Sequence, residues 1–62
     1  MMDHEEFRRA LSTLEVSQRQ FAQKTNTDVT LIKKWANGKA EIPGIAEAYV
    51  RLRLAIHHWR NR

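Results

Sequence analysis

The sequence predicts an all-α fold, a compact four-helix domain that occupies residues 1–62. Asp3, Ser17 and Asp28 are residue types that favour helix N-caps, and apolar residues follow each of them at helical spacing. A chain of 62 residues accommodates one domain and is too short for a second. So short a chain buries only about 60% of its unfolded surface, so its stability should depend on close helix packing or on a partner subunit.

The first helix is predicted over residues 4–14. Asp3 and Glu6 form a start that resembles a capping box, and the acidic first turn suits the helix dipole. Apolar residues then recur at i, i+3, i+4 and i+7 and define one buried side: Phe7, Ala10, Leu11 and Leu14.

The second helix is predicted over residues 18–24, with a short turn after it. Ser17 and Gln20 form a second capping box, and Phe21 begins the buried side. Asn26 lies in the turn and tolerates the left-handed conformation that often follows a helix end.

The third helix is predicted over residues 29–37, with Asp28 as its cap and Gly38 as a left-handed residue beyond its end. Its two faces differ in chemistry. One face is apolar and should join the core: Ile32, Trp35 and Ala36. The other face is polar and basic, with Lys33 at its edge: Thr30, Lys33, Lys34 and Asn37.

The fourth helix is predicted over residues 44–59 and is apolar on two sides. The larger stripe is predicted to face the core: Ile45, Ala48, Tyr49, Leu52, Ala55, Ile56 and Trp59. The smaller stripe is predicted to be the interface of a homodimer: Ala46, Val50 and Leu54, with His57 beside them. A Leu54→Glu variant should then keep the fold and lose the dimer. The alternative is a modest exposed apolar surface, which many monomers have.

Composition restricts the function classes. The absence of cysteine rules out disulfides and thiolate metal sites and favours the cytoplasm. His57 and His58 point about 100° apart without a third ligand nearby, so no metal site is predicted. No catalytic group, cofactor or small-molecule ligand is predicted, and the expectation is that the chain is not an enzyme. A signal peptide and a membrane span are not expected either.

Positive charge is concentrated in the middle of the chain. The formal net charge is +4, and residues 17–40 carry five basic residues against Asp28, a balance of +4. A basic segment of this kind indicates a surface that binds a polyanion. A solvated surface on a basic protein is the alternative.

Two short helices joined by a tight turn, with a basic outer face on the second, are typical of helix-turn-helix proteins. The chain resembles the Cro/C1-type repressor family in an ungapped set of residues: Ser17, Gln18, Phe21, Ala22, Ile32, Trp35 and Gly38. Two positions depart from the family pattern. Asn26 stands where glycine is usual, and Thr25 stands where an apolar residue is usual.

The resemblance implies a lambda-repressor-like fold and a set of contacts with double-stranded DNA. Gln18 would bind a phosphate at the start of the second helix. Base contacts near the start of the third helix, and one turn on, would come from Asp28, Val29, Thr30 and Lys34. The DNA backbone would be held by Lys33, Asn37 and Lys39.

The predicted function is therefore sequence-specific DNA binding by a dimeric transcriptional regulator, a repressor or autoregulator of phage or mobile-element type. Its site would be a palindromic operator. The alternative is a protein-interaction module, antitoxin-like or an adaptor subunit, that uses the fourth helix on a different protein. A basic amphipathic helix lying on a membrane is a weaker alternative, because the core needs its apolar residues.

Overall fold

The computed structural model describes residues 1–61, within which the chain forms four helices and no strand. The helices are α1 (His4–Leu14), α2 (Gln18–Thr25), α3 (Val29–Ala36) and α4 (Gly44–Arg60). The compact four-helix prediction is confirmed, and no predicted helix boundary is wrong by more than one residue. Arg62, the last residue of the predicted domain, lies outside the described residues. α1 packs against both α3 and α4, and α2 packs against α3.

An aromatic cluster centred on Phe7 joins the helices. Phe7 is fully buried, and its ring meets those of Phe21 and Trp35 edge to face at centroid distances of 5.4 and 6.0 Å. Tyr49 of α4 adds an edge contact with Phe21 at 5.8 Å. Such contacts contribute beyond the area that they bury and restrict ring orientation. The prediction that Trp35 belongs to the core is confirmed.

The predicted capping residues make the predicted hydrogen bonds. The Asp3 carboxylate accepts from the Glu6 backbone N–H at 2.8 Å. Ser17 Oγ accepts from the Gln20 N–H at 3.0 Å, and Gln20 Oε1 accepts from the Ser17 N–H at 2.9 Å. These bonds satisfy backbone donors that have no partner within a helix, so the sequence itself sets where α1 and α2 begin.

Glu15 ends α1 in the left-handed conformation, with φ 57° and ψ 40°. The sequence pattern does not predict this, because glycine and asparagine are the residues that usually adopt it. The left-handed turn lets the Val16 N–H donate to the Leu11 carbonyl at 3.0 Å, which satisfies the helix end. A side chain in this conformation costs roughly 1–2 kcal/mol.

A Glu15→Gly variant should therefore unfold at a higher temperature than the wild type. Removing the Cβ relieves the strain, while the added freedom of the unfolded chain offsets part of the gain. We expect a net stabilisation of about 0.5–1 kcal/mol, or a rise in Tm of roughly 2–8 °C for a domain of this size. Thermal unfolding followed by circular dichroism measures it. A Glu15→Ala control keeps the Cβ and should not raise the Tm as far.

α4 presents to the core the opposite side from the one predicted. Ala46 and Val50 are buried, with Val50 fully so, and Leu54 and His57 are half-buried. Leu54 packs against the core cluster. The predicted dimer interface needs an exposed surface, and the prediction is therefore wrong for the residues named for it: Ala46, Val50, Leu54 and His57. The Leu54→Glu variant should consequently perturb the fold itself.

The larger stripe of α4, predicted to be core, is mostly exposed. Ile45 is 83% exposed, Trp59 is 70% exposed and Leu52 is 59% exposed. The physical reason is volume, since a well-packed interior tolerates little extra bulk. Phe7, Phe21 and Trp35 already occupy the centre. Tyr49 of the larger stripe meets the Phe21 ring, while the small Ala46 and Val50 are the residues of α4 that are buried.

Polar contacts on the other side of the same interface hold α4 in this rotation. Met2 is buried, and its backbone N–H donates to Glu47 Oε1 at 3.0 Å. Arg51 Nε donates to Glu47 Oε2 at 2.9 Å, and Arg51 also lies 3.5 Å from the Glu6 carboxylate. The Arg51 hydrogen bond, with the Met2 N–H, holds the pKa of Glu47 below its ordinary value. These bonds tie the N-terminal residues and α1 to α4.

Candidate nucleic-acid interface

α2 and α3 are joined by a three-residue turn, residues 26–28, which the sequence shapes locally. Asn26 ends α2 at φ 53° and ψ 45°, the left-handed conformation predicted for it. The following Thr27 N–H donates to the Ala22 carbonyl at 2.8 Å. The Asp28 carboxylate then accepts the Thr30 N–H at 2.9 Å and caps α3. One helix therefore ends and the next begins within three residues.

Thr25 stands where the Cro/C1-type pattern has an apolar residue, and in this structure its side chain forms hydrogen bonds. Its hydroxyl donates to the Phe21 carbonyl at 2.8 Å. The Thr27 hydroxyl donates to the Thr25 carbonyl at 3.1 Å, and the two hydroxyl oxygens lie 3.0 Å apart. These bonds tighten the end of α2 and the turn, so the departure at Thr25 exchanges apolar packing for local hydrogen bonding.

The outer face of α3 is polar, basic and exposed along its whole length. Thr30, Lys33, Lys34 and Asn37 are all exposed, while Ile32, Trp35 and Ala36 on the opposite face are buried. The structure thus brings four of the predicted DNA contacts onto one surface. Lysines in the last turn also suit the helix dipole, which is a structural reason for Lys33 and Lys34.

Lys39 joins this surface through the loop that follows α3. Gly38 has φ 75° and turns the chain back, so that the Lys39 N–H donates to the Lys34 carbonyl at 2.9 Å. The Ala40 N–H approaches the same carbonyl at 3.3 Å. The left-handed Gly38 was predicted, and its effect is to hold the Lys39 backbone against the end of α3.

Within residues 1–61, the basic side chains of this surface form no ion pair with an acidic group. Across residues 1–61 the ion pairs involve Arg9 with Glu5, and Arg51 with Glu6 and Glu47. Lys33, Lys34 and Lys39 make none of them. Their positive charge remains available to an anionic partner.

The other three predicted contacts lie on or beside the turn. Gln18 is the first residue of α2 and is half-buried, and Asp28 is exposed. Val29 is only half-exposed because it packs against the core cluster, which limits the surface that it could offer to a base.

Arg19 belongs to the same surface and is absent from the predicted contacts. A shallow concavity between α2 and α3 is lined by Arg19, Gln23 and Asn26 from one side and by Asp28 and Val29 from the other. The first three recur at i, i+4 and i+7, which is the signal that could have placed Arg19 beside the turn.

Two other kinds of site are absent from the described residues, a metal cluster and a membrane-spanning helix. No group of three histidine, aspartate or glutamate side chains in residues 1–61 is placed to hold a metal ion. Every helix in that range is too short or too polar to cross a lipid bilayer. Compared with protein-family models, with curated proteins and with solved structures, the chain has no match. The resemblance to Cro/C1-type repressors therefore rests on the motif residues alone.

Proposed function

We propose that the protein is a helix-turn-helix DNA-binding regulator that recognises a specific double-stranded sequence. The observation that carries this proposal is the outer face of α3, which is exposed, basic and unpaired with any acid among residues 1–61. The opposite face of the same short helix is fully committed to the core. A helix fixed in this way presents its side chains as a rigid surface to a polyanion.

In this proposal α3 enters the major groove, whose width of about 12 Å admits one helix. Lys34 donates to guanine O6 and N7, and the Thr30 methyl group meets a thymine methyl. The Asp28 carboxylate, which already accepts the Thr30 N–H, keeps a lone pair for the amino group of a cytosine. Val29, at the edge of this surface, contributes a smaller apolar contact with a base.

The remaining contacts hold the DNA backbone. Gln18 lies in the first turn of α2, where backbone N–H groups and the helix dipole favour a phosphate. Lys33, Asn37 and Lys39 flank the groove-facing residues and bind phosphates beyond them. Such contacts set position and affinity, while the base contacts set sequence choice. Regulation then follows from occupancy, because a protein bound at a promoter blocks polymerase.

The test is binding to random duplex DNA over a series of salt concentrations. Each phosphate contact made by a cation contributes about 0.9 to the slope of log K against log salt. Two or three lysine contacts per chain give a slope of about −2 to −3. Fluorescence anisotropy with labelled duplex measures it. Binding that is absent at low salt, or that does not weaken as salt rises, contradicts the proposal.

A protein-interaction role is the second candidate, and the exposed side of α4 favours it. Ile45, Leu52 and Trp59 are large, apolar and more than half exposed. An adaptor or antitoxin-like subunit would use that side on a different protein and would show little salt-dependent DNA binding. The salt series distinguishes the two functions, and a protein with both would show the steep slope.

A further inference from the structure

The side of α4 that points away from the core is apolar, and the rest of residues 1–61 leaves it uncovered. Four large side chains on it are between 38% and 83% exposed: Ile45, Leu52, Ile56 and Trp59. Two exposed alanines, Ala48 and Ala55, lie among them. Monomeric proteins seldom expose large contiguous apolar patches, and such patches mark interaction sites.

The spacing of these side chains is that of a coiled-coil seam. Steps of three, four, three and four residues connect five exposed positions: Ile45, Ala48, Leu52, Ala55 and Trp59. A repeat that averages 3.5 residues keeps its stripe in contact with a neighbouring helix, and these positions extend over roughly 21 Å of α4. The shape of the surface therefore indicates a helix as its occupant. We call these five positions the α4 seam.

Large and small residues alternate along the α4 seam, which identifies the occupant. Ile45, Leu52 and Trp59 are large, and the positions between them are alanine. A parallel copy would set large against large and alanine against alanine, which leaves voids at the alanine layers. An antiparallel copy related by a two-fold axis sets Leu52 against the partner's Ala55 and Trp59 against the partner's Ala48. Leu52 and Trp59 then each face an alanine of the partner helix.

We propose that a second copy of this chain covers the α4 seam, with its α4 antiparallel. A two-fold interface must be complementary to itself, and the alternation of sizes meets that condition. The edges of the seam carry no charge pattern that would select a foreign helix. Glu47 is the one acidic residue of α4, and it is bonded within its own chain to Arg51 and Met2.

The two edges of the α4 seam also fit this pairing. Tyr49 and Ile56 continue the apolar surface on one edge, and Arg51 and His58 border the other. Two copies of Arg51 near one another would repel if their charges were unbalanced. Each Arg51 is already bonded to Glu47 and lies near Glu6. The positive charge is thus balanced within each chain before the copies meet.

Sedimentation of the full chain without DNA tests the pairing. The wild type should dimerise at high micromolar concentration. Leu52→Glu should raise the dimer dissociation constant by about 100-fold or more, because both copies lose an apolar contact and gain a desolvated charge. Arg53→Glu is the matched control, since it introduces the same side chain at the next exposed position, off the α4 seam. It should remain a dimer. Circular dichroism confirms that each variant is folded, and Trp59→Glu provides a second test.

Cross-linking tests the antiparallel direction, and the chain has no cysteine of its own. Ala48→Cys and Trp59→Cys chains, mixed and oxidised, should form disulfides between the two variants. Ala48→Cys alone should not, because the two copies of position 48 then lie roughly 16 Å apart along the helices, beyond the Cβ separation of about 4.5 Å that a disulfide spans. Efficient cross-linking of Ala48→Cys alone shows a parallel pair and overturns the proposed direction.

The proposal stands on the α4 surface and is independent of DNA binding. A wild type that stays monomeric at high micromolar concentration, or a Leu52→Glu variant that dimerises as the wild type does, overturns it. A monomer that binds duplex DNA with a steep salt dependence leaves the proposed function intact while this inference fails. A dimer that binds no DNA supports the pairing of two copies and contradicts the proposed function.

Discussion

Phe7→Ala is expected to remove a large part of the free energy of unfolding of the domain. Removing a buried phenylalanine side chain typically costs about 3–5 kcal/mol. A domain of this length has a total stability of roughly 3–9 kcal/mol. Phe7 is fully buried and makes edge contacts with both Phe21 and Trp35, so its loss separates three helices at once. Urea unfolding followed by circular dichroism measures the change.

Ile45→Ala is the matched control for this experiment. It also shortens a large apolar side chain on a helix, but Ile45 is 83% exposed and is not part of the core. We expect its free energy of unfolding to lie within about 0.5 kcal/mol of the wild type, measured at a concentration where the chain is monomeric. Equal losses for the two variants would contradict the rotation of α4 described above.

Lys34→Ala is expected to weaken binding to the preferred DNA site by about 1–3 kcal/mol, roughly 5- to 150-fold, with a smaller effect on random duplex. The reason is the central place of Lys34 on the exposed face of α3, where it would contact a base edge. The preferred site is first obtained by selection from a random duplex pool. Anisotropy titrations with that site and with random DNA then give the two affinities.

Lys39→Ala should weaken both kinds of binding about equally and reduce the salt slope by about 1. The Lys39 backbone is bonded to the end of α3, which places this lysine for a phosphate beyond the groove. Arg8→Ala removes an equal charge from an exposed position on α1 and is the control. Lys34→Ala and Lys39→Ala with the same loss on both DNAs would overturn the separate roles assigned to them.

The helix ends of this protein are local in origin, which is why they could be predicted. Asp3, Ser17 and Asp28 each bond a backbone N–H no more than three residues away. Such bonds depend on the neighbouring sequence and hardly at all on the rest of the fold. The left-handed Asn26 and Gly38 follow from the same local chemistry. The basic face of α3 is set once its apolar face is known, because the helical period separates the two.

The part of the candidate site that lies on α3 was predictable for a related reason, whereas the part that depends on contacts between helices was not. Thr30, Lys33 and Lys34 lie on one short helix whose phase is unambiguous. Arg19 was not predicted, because its place beside the turn depends on how α2 packs against α3. The partial burial of Val29 depends on the same packing. Contacts between helices are not periodic in the sequence, so no spacing rule indicates them.

The sequence by itself determined four helices, their ends, and the basic surface of α3. Only the tertiary structure decided which side of α4 meets the core. The sequence offers α4 two apolar stripes on nearly opposite sides, and local rules favour the larger one. The interior is already filled by Phe7, Phe21 and Trp35, and the smaller stripe with Val50 is the one that is buried. Competition for a limited interior volume is a property of the whole fold, and it leaves the larger stripe of α4 exposed.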